Sequence, residues 1–305
     1  MSLRSLLNFI ILTIKGFIMG AANVVPGVSG GTMALILGIY EELIDAIRSI
    51  NLRFARLITR FKIREALTSV SWPFLVPVGL GILLATFSLA EVLSWLLDRY
   101  PAIVWSFFFG LILSSVFTVS RVVRKWRITI ILAIVLGGIA AYFLFGMIPV
   151  STPNASWFIF GSGFIAICAM ILPGISGAYI LVLLGKYQYI LEALKNKDLF
   201  PLLVISAGAF VGLISFAQIL GWLLKRYHDL TMAVLIGLML GSLRKIWPWK
   251  ETVTTFIDSQ GNEIPALQNN IIPDSFTSEV GLALLFMFIG ILVVSGLDLW
   301  VHKKN

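Results

Sequence analysis

The 305-residue chain contains one cysteine, Cys168, and only two histidines, His228 and His302. A lone cysteine has no partner for an intramolecular disulfide. The histidines stand beside a loop and in the C-terminal tail, so no Cys/His cluster and no carboxylate pair has metal-ligand spacing. Nor does either offer a serine–histidine pairing in apolar sequence, the arrangement of a nucleophile and its base. No residue is therefore assigned as catalytic or metal-binding, no cofactor is expected, and an integral phosphatase relying on histidine is disfavoured. Charge is also scarce: 12% of residues are charged, against about a quarter in soluble domains. Apolar residues fill the space, at 59% of the chain with a mean hydropathy of +0.97. Several apolar stretches reach the ~20 residues that cross a hydrocarbon core. The composition is that of a polytopic all-α membrane protein. Its net charge of +8 sits in short loops, where cytoplasmic retention and anionic lipid headgroups account for it without nucleic acid.

What the chain does have is a glycine-rich motif that occurs twice. Residues 25–47 read VPGVSGGTMALILGIYEELIDAI and residues 172–194 read LPGISGAYILVLLGKYQYILEAL. Pro26, Gly27, Ser29, Gly30, Leu37, Gly38, Tyr40 and Ala46 recur as Pro173, Gly174, Ser176, Gly177, Leu184, Gly185, Tyr187 and Ala193, each 147 positions on. Val28 is answered by Ile175. Lys15-Gly16-Phe17-Ile18 leads into the first copy as Ser162-Gly163-Phe164-Ile165 leads into the second. That mid-chain parallel makes the N-terminal apolar run part of the fold and not a signal peptide. A second block repeats at an offset of 127: Trp95-Leu96-Leu97-Asp98-Arg99-Tyr100 returns as Trp222-Leu223-Leu224-Lys225-Arg226-Tyr227. The chain thus divides into repeats 1–148 and 149–305, and the first carries extra basic sequence around residues 48–70.

Parity sets their relative orientation. Three spans, near 73–97, 101–120 and 128–148, separate the motif regions, and an odd number inverts the second repeat. Further spans are expected near 201–223, 231–247 and 279–300. The basic loops 48–64 and 121–127 should be cytoplasmic, as should both termini, with 149–156 and the polar loop 250–278 outside. Lys186, Lys195 and Lys197 run against this map. The apolar pieces before each motif, Leu6–Met19 and Phe164–Leu172, look too short to span. Proline and glycine break helices, so each motif (20–40 and 164–186) reads as a re-entrant hairpin, tolerable only where it faces protein or water.

A helix restarting after Ser-Gly presents free N–H groups and a positive dipole end, and the glycines admit an anion to the backbone. Two inverted tips meeting near the midplane suit alternating access. The plainer reading is that the small residues only allow close packing. The motif is not a nucleotide P-loop, because no Gly-Lys-Ser/Thr follows either copy. Lys15 could neutralise a bound phosphate or snorkel to headgroups. Glu91 could couple proton movement or serve as a cap. Arg99 and Arg226 could attract a headgroup or anchor the interface. Glu41 and Lys186 are candidates for gating.

Asn23-Val-Val-Pro-Gly-Val-Ser-Gly-Gly-Thr32 with Ala34-Leu-Ile-Leu-Gly-Ile-Tyr-Glu41, and Ile171-Leu-Pro-Gly-Ile-Ser-Gly177 with Leu183-Leu-Gly-Lys-Tyr187, resemble the paired signatures of the bacterial polyprenyl-phosphate transporter family. The resemblance implies a flippase of the bacterial inner membrane that returns undecaprenyl phosphate to the inner leaflet for cell-wall synthesis. Its partners would be the lipid-linked phosphate and membrane lipids, with protons or sodium as candidate coupling ions and oligomer formation left open. On the physical argument above, the phosphate site would comprise Asn23, Pro26, Gly27, Val28, Ser29, Gly30, Gly31, Thr32, Pro173, Gly174, Ile175, Ser176, Gly177 and Lys15. A secondary transporter of a small water-soluble anion is the main alternative, and a non-transporting scaffold the third.

Overall fold

In the computed structural model, residues 3–25, 28–257 and 263–302 are described. The first repeat runs through α1 (Leu3–Val24), α2 (Gly30–Ile36), α3 (Tyr40–Arg48), α4 (Leu52–Thr59), α5 (Ile63–Thr68), α6 (Trp72–Arg99), α7 (Pro101–Ser120) and α8 (Ile128–Leu144). The second comprises α9 (Ser156–Ile171), α10 (Gly177–Leu183), α11 (Tyr187–Lys195), α12 (Leu199–Arg226) and α13 (His228–Ser242). An antiparallel hairpin of β1 (Lys250–Ile257) and β2 (Glu263–Asn270) precedes the last helix, α14 (Ser278–His302). Among the described residues, α1, α6, α7, α12 and α14 are long and apolar enough to cross a membrane. This is a multi-pass helical membrane protein.

Local signals explain most boundaries. Ser71 and Pro73 open α6, and Pro101 opens α7 directly after Tyr100 closes α6, as expected where a proline lacks a donor that the first turn would leave unpaired anyway. Gly38 and Gly185 end α2 and α10 with φ of 65° and 63°, the left-handed conformation that terminates helices at little cost only for glycine.

Three expectations are corrected. The apolar piece before the first motif is not short: α1 has 22 residues, because the small residues Gly20, Ala21 and Ala22 continue the helix to Val24. The stretch 250–278, expected to be a polar loop, contains a two-stranded sheet within an otherwise helical fold. The span near 231–247 ends at Ser242, leaving Arg244 and Lys245 beyond the helix.

Four helix pairs form the scaffold, and glycines set their spacing. In α1 and α6, a Cβ on Gly16 would lie 2.2 Å from the Val78 carbonyl oxygen, and one on Gly81 2.0 Å from that of Thr13. In α9 and α12, the same test gives 2.2 Å from Gly163 to Ile205 and 2.0 Å from Gly208 to Phe160. The matched contacts obey the 147 and 127 offsets. Across repeats, α7 packs on α14 through Gly110 against Met287 and Gly290 against Phe107, and α13 packs on α8 through Gly237 against Ile134 and Gly137 against Val234. Small residues allow backbones this close approach in a bilayer, where apolar burial alone drives little association. These cross-repeat pairs reveal a further equivalence of α8 with α14, at an offset of 153, which no identity pattern in the sequence had marked.

Candidate functional site

The first tip closes on itself. Pro26 and Gly27 lie outside the described residues. Val28 and Ser29 are buried, and Ser29 caps α2 by accepting the Gly31 N–H at 3.1 Å. From the end of α1, Asn23 Oδ1 accepts the Gly30 N–H at 2.7 Å. The Thr32 N–H reaches the Ser29 carbonyl at 3.0 Å. The donors expected to hold an anion are here satisfied by the chain's own oxygens.

The same tip grips the end of α9. Ser29 Oγ stands 3.0 Å from the Leu172 carbonyl oxygen and 3.2 Å from that of Met170, and its single proton serves one of them at a time. Tyr40 donates its hydroxyl to the Ile171 carbonyl at 3.2 Å, and Thr32 Oγ1 accepts the Gly174 N–H at 2.9 Å. Carbonyls at a helix C-terminus have no intrahelical donor, and Pro173 supplies none, so the first motif satisfies what the second leaves open. Gly31 is obligatory for this approach: an added Cβ would sit 2.4 Å from the Ile171 oxygen.

The second tip differs. Met170 occupies the position equivalent to Asn23, so the Gly177 N–H has no corresponding side-chain acceptor. Ser176 is buried at the cap of α10 but makes no side-chain capping bond. Ile175 is buried beside it, and Gly174 takes φ 85°. Two motifs with one sequence pattern thus present a first tip whose Gly30 and Gly31 N–H groups are capped by side chains, and a second whose Gly174 N–H is taken by Thr32 while Ser176 makes no capping bond.

Among the other anticipated residues, Lys15 donates to the Leu37 carbonyl at 2.9 Å, at the end of α2 opposite Ser29. Lys186 is buried and donates to the Thr152 carbonyl and Asn154 Oδ1, each at 2.8 Å. Glu41 meets His228 Nε2 at 3.1 Å. Glu91, Arg99 and Arg226 are exposed.

Two constellations escaped the sequence reading. At the end bearing the 121–127 loop, α3 packs on α12. Arg48 Nε donates to Gln218 Oε1 at 3.3 Å, Gln218 Nε2 donates to the Arg48 carbonyl at 3.0 Å, and Asp45 pairs with Lys225 at 3.1 Å. At the opposite end, beside the hairpin, Arg244, Lys245 and Lys250 gather over aromatic rings. Arg244 lies 4.1 Å from the Tyr142 ring, Lys245 5.2 Å from Tyr179 and Lys250 4.6 Å from Trp105. Burial holds the Lys245 ammonium below its usual range; burial first and the Lys245 charge second push Lys250 down to about 7. The signal that could have found the first was the repeat offset, which aligns Arg48 with Lys195 and Gln218 with Glu91. For the second it was three cations within seven residues of Trp247 and Trp249.

Residues 19–264 match the family described as undecaprenyl phosphate translocase-like. A polyprenyl-phosphate transporter of Vibrio cholerae serotype O1 is 42% identical over 303 residues, covering 97% of this chain and 98% of the relative. A polyprenyl-phosphate transporter of Staphylococcus aureus is 33% identical over 256 residues, covering 77% of this chain and 85% of the relative. No solved structure gives a significant match.

Proposed function

We propose that this chain, which belongs to the undecaprenyl phosphate translocase-like family, carries undecaprenyl phosphate between the leaflets of the bacterial cytoplasmic membrane, recycling the lipid carrier of cell-wall synthesis. An unpaired phosphate in hydrocarbon is very costly, so protein groups must accompany the headgroup while the isoprenoid tail stays in lipid. The positive-inside rule puts the 121–127 loop and both termini in the cytoplasm and the hairpin outside.

The observation that carries this reading is the unequal docking of two equivalent helices. On α3, Ile44 is 0% and Ile47 8% exposed; their counterparts on α11, Leu191 and Leu194, are 38% and 62% exposed. On the receiving helix α12, Ala217, Leu220 and Leu224 are buried, whereas Ala90, Leu93 and Leu97 on α6 are only partly so. A transporter built of inverted repeats presents this asymmetry in any one state, and exchange of the two packings moves the opening to the other side. Support for inversion comes from chain direction. The pairs α1/α6, α9/α12, α7/α14 and α8/α13 each align parallel, and the turns at Tyr100 and Tyr227 reverse the chain, so α6 and α12 oppose one another. In this state α3 shuts the cytoplasmic side and the outside is open. In the exchanged state Lys195 would meet Glu91 as Arg48 now meets Gln218. The re-entrant tips lie between the two gates, and the uncapped second tip is the better phosphate cradle.

Leaflet exchange in proteoliposomes tests the proposal, with a labelled polyprenyl monophosphate beside the uncharged polyprenol. Acceleration of the phosphate alone, lost when Ser29 and Ser176 are both replaced by alanine, is the expected result. Transport of a soluble anion under a proton or sodium gradient, with neither lipid moving, would overturn it.

A further inference from the structure

The cations at the hairpin end have no role in the gate or the tips. Arg244, Lys245 and Lys250 bracket Ile246-Trp247-Pro248-Trp249 just beyond α13. The segment is held rigidly: Trp247 packs edge-on against Phe109 and Trp249, and its indole N–H donates to the Ile271 carbonyl at 2.8 Å. Arg244 donates to the Tyr142 carbonyl at 2.9 Å, and its own carbonyl accepts from Asn270. Lys250 folds back to the Lys245 carbonyl, which brings the two ammonium groups into the same half-buried space.

Their environment is unusual in what balances them. Among the described residues, neither lysine has a carboxylate within ion-pair distance, although Arg48, Lys225, Lys62 and Arg121 each do. The adjacent acid, Glu251, is exposed and lines an open polar pocket of about 400 Å³ with Arg244, Tyr142 and Gln268. Aromatic faces stabilise each ammonium in part, but two like charges withdrawn from water repel and are poorly solvated. A bound anion relieves both costs. The lining spans the repeats: Trp105 belongs to α7, and Tyr179 lies on α10 three positions after Ser176, packed on Phe145 with its hydroxyl donating to the Leu144 carbonyl. The equivalent positions of the first repeat differ: at the 127 offset, Arg244, Lys245 and Lys250 correspond to Phe117, Thr118 and Val123, none of them a cation.

We propose that Lys245 and Lys250, with Arg244 at the rim, bind a phosphate monoester on the hairpin side and deliver it toward the second tip. This deepens the function proposed above and rests on it for the identity of the lipid, although anion binding itself does not. The shared chemistry is the phosphate group, which a lipid headgroup or free phosphate could supply.

Two measurements on the full chain in nanodiscs test the site. The first follows acetylation of Lys250 in the unsubstituted protein by mass spectrometry, with exposed Lys225 as internal reference, while farnesyl phosphate, inorganic phosphate or farnesol is added. Selective protection by farnesyl phosphate supports a lipid-headgroup site. Equal protection by inorganic phosphate at matched concentration supports an anion site and removes the lipid assignment. No protection by either overturns the site. The second compares binding of farnesyl phosphate by Lys245→Gln/Lys250→Gln and Lys245→Arg/Lys250→Arg. Loss of about ten-fold or more in the glutamine pair, with the arginine pair within about three-fold of the original, is expected where charge-assisted contacts carry affinity. If the glutamine pair does not fold, the arginine pair and the acetylation series still decide the question. Unchanged binding and exchange in a folded glutamine pair would sink the site and leave the transport reading intact. Phosphate-dependent protection without lipid exchange would do the reverse.

Discussion

Helices α3 and α11 share a sequence pattern and a place in their repeats, yet one is docked and the other is not. Tyr40, Ile44 and Ile47 pack inward on the first, while Leu191 and Leu194 stay exposed on the second. The difference cannot come from apolarity, because both helices carry the same apolar face. The partners differ at one crossing: α12 has Gly221 where Arg48 passes, and α6 has Ser94 at the equivalent position. Under the proposed alternating access, two nearly equivalent packings that cannot both be engaged would make a bistable element, which a ligand with different affinity for the two states would shift.

The largest expected effect comes from locking the docked side. With Cys168 replaced by serine, joining Asp45→Cys and Lys225→Cys by a short reducible thiol reagent should drop exchange to the protein-free rate. Reduction should restore it, and full activity of the joined protein would break the comparison. Reversing charge on the undocked side should act next. Lys195→Glu would face Glu91 in the exchanged state and should slow exchange about ten-fold, a coupling of ~1.4 kcal/mol that adding Glu91→Lys recovers. Arg48→Glu should instead raise cytoplasmic accessibility, read as labelling of a cysteine at position 218.

Glycines sharpen the contrast between the tips. Gly31→Ala forces a Cβ against the Ile171 carbonyl and should cost about 1–3 kcal/mol in stability. Gly161→Ala, which meets nothing within 4 Å, should leave thermal unfolding unchanged. The smallest effect concerns pH at the hairpin end. Lys250, pushed down to about 7, is charged below that pH and neutral above it. Farnesyl phosphate binding should therefore weaken a few-fold from pH 7 to 8, after the phosphate's own second ionisation near 6 is largely complete. Lys245, Arg244 and Glu251 are the charged groups beside it, and Lys250→Arg should abolish the dependence.

The motif stood out in the sequence because Pro-Gly-x-Ser-Gly occurs twice in apolar surroundings. Which tip is capped by side chains was not legible. That follows from Asn23 against Met170, a pair outside the conspicuous motif whose effect needs the end of α1 to lie beside Gly30. The hairpin was hidden by the polar, low-periodicity stretch 250–278, and the nearby cations were divided between the span expected near 231–247, which holds Arg244 and Lys245, and that loop, which holds Lys250.

Membrane residence, the spans near 73–97, 101–120, 201–223 and 279–300, and the duplication are written in composition and in offsets of 147 and 127. These are local or periodic properties, and each residue carries its share of them alone. Tertiary structure decided the α8–α14 equivalence, the capture of α9's last carbonyls by Ser29 and Tyr40, and the gathering of Lys245 and Lys250 against Tyr179 and Trp105. It also decided which repeat's arm is docked. Those depend on contacts between residues far apart in the chain, where two equally apolar faces compete and the backbone clearance of a single glycine or the reach of one polar side chain selects the winner.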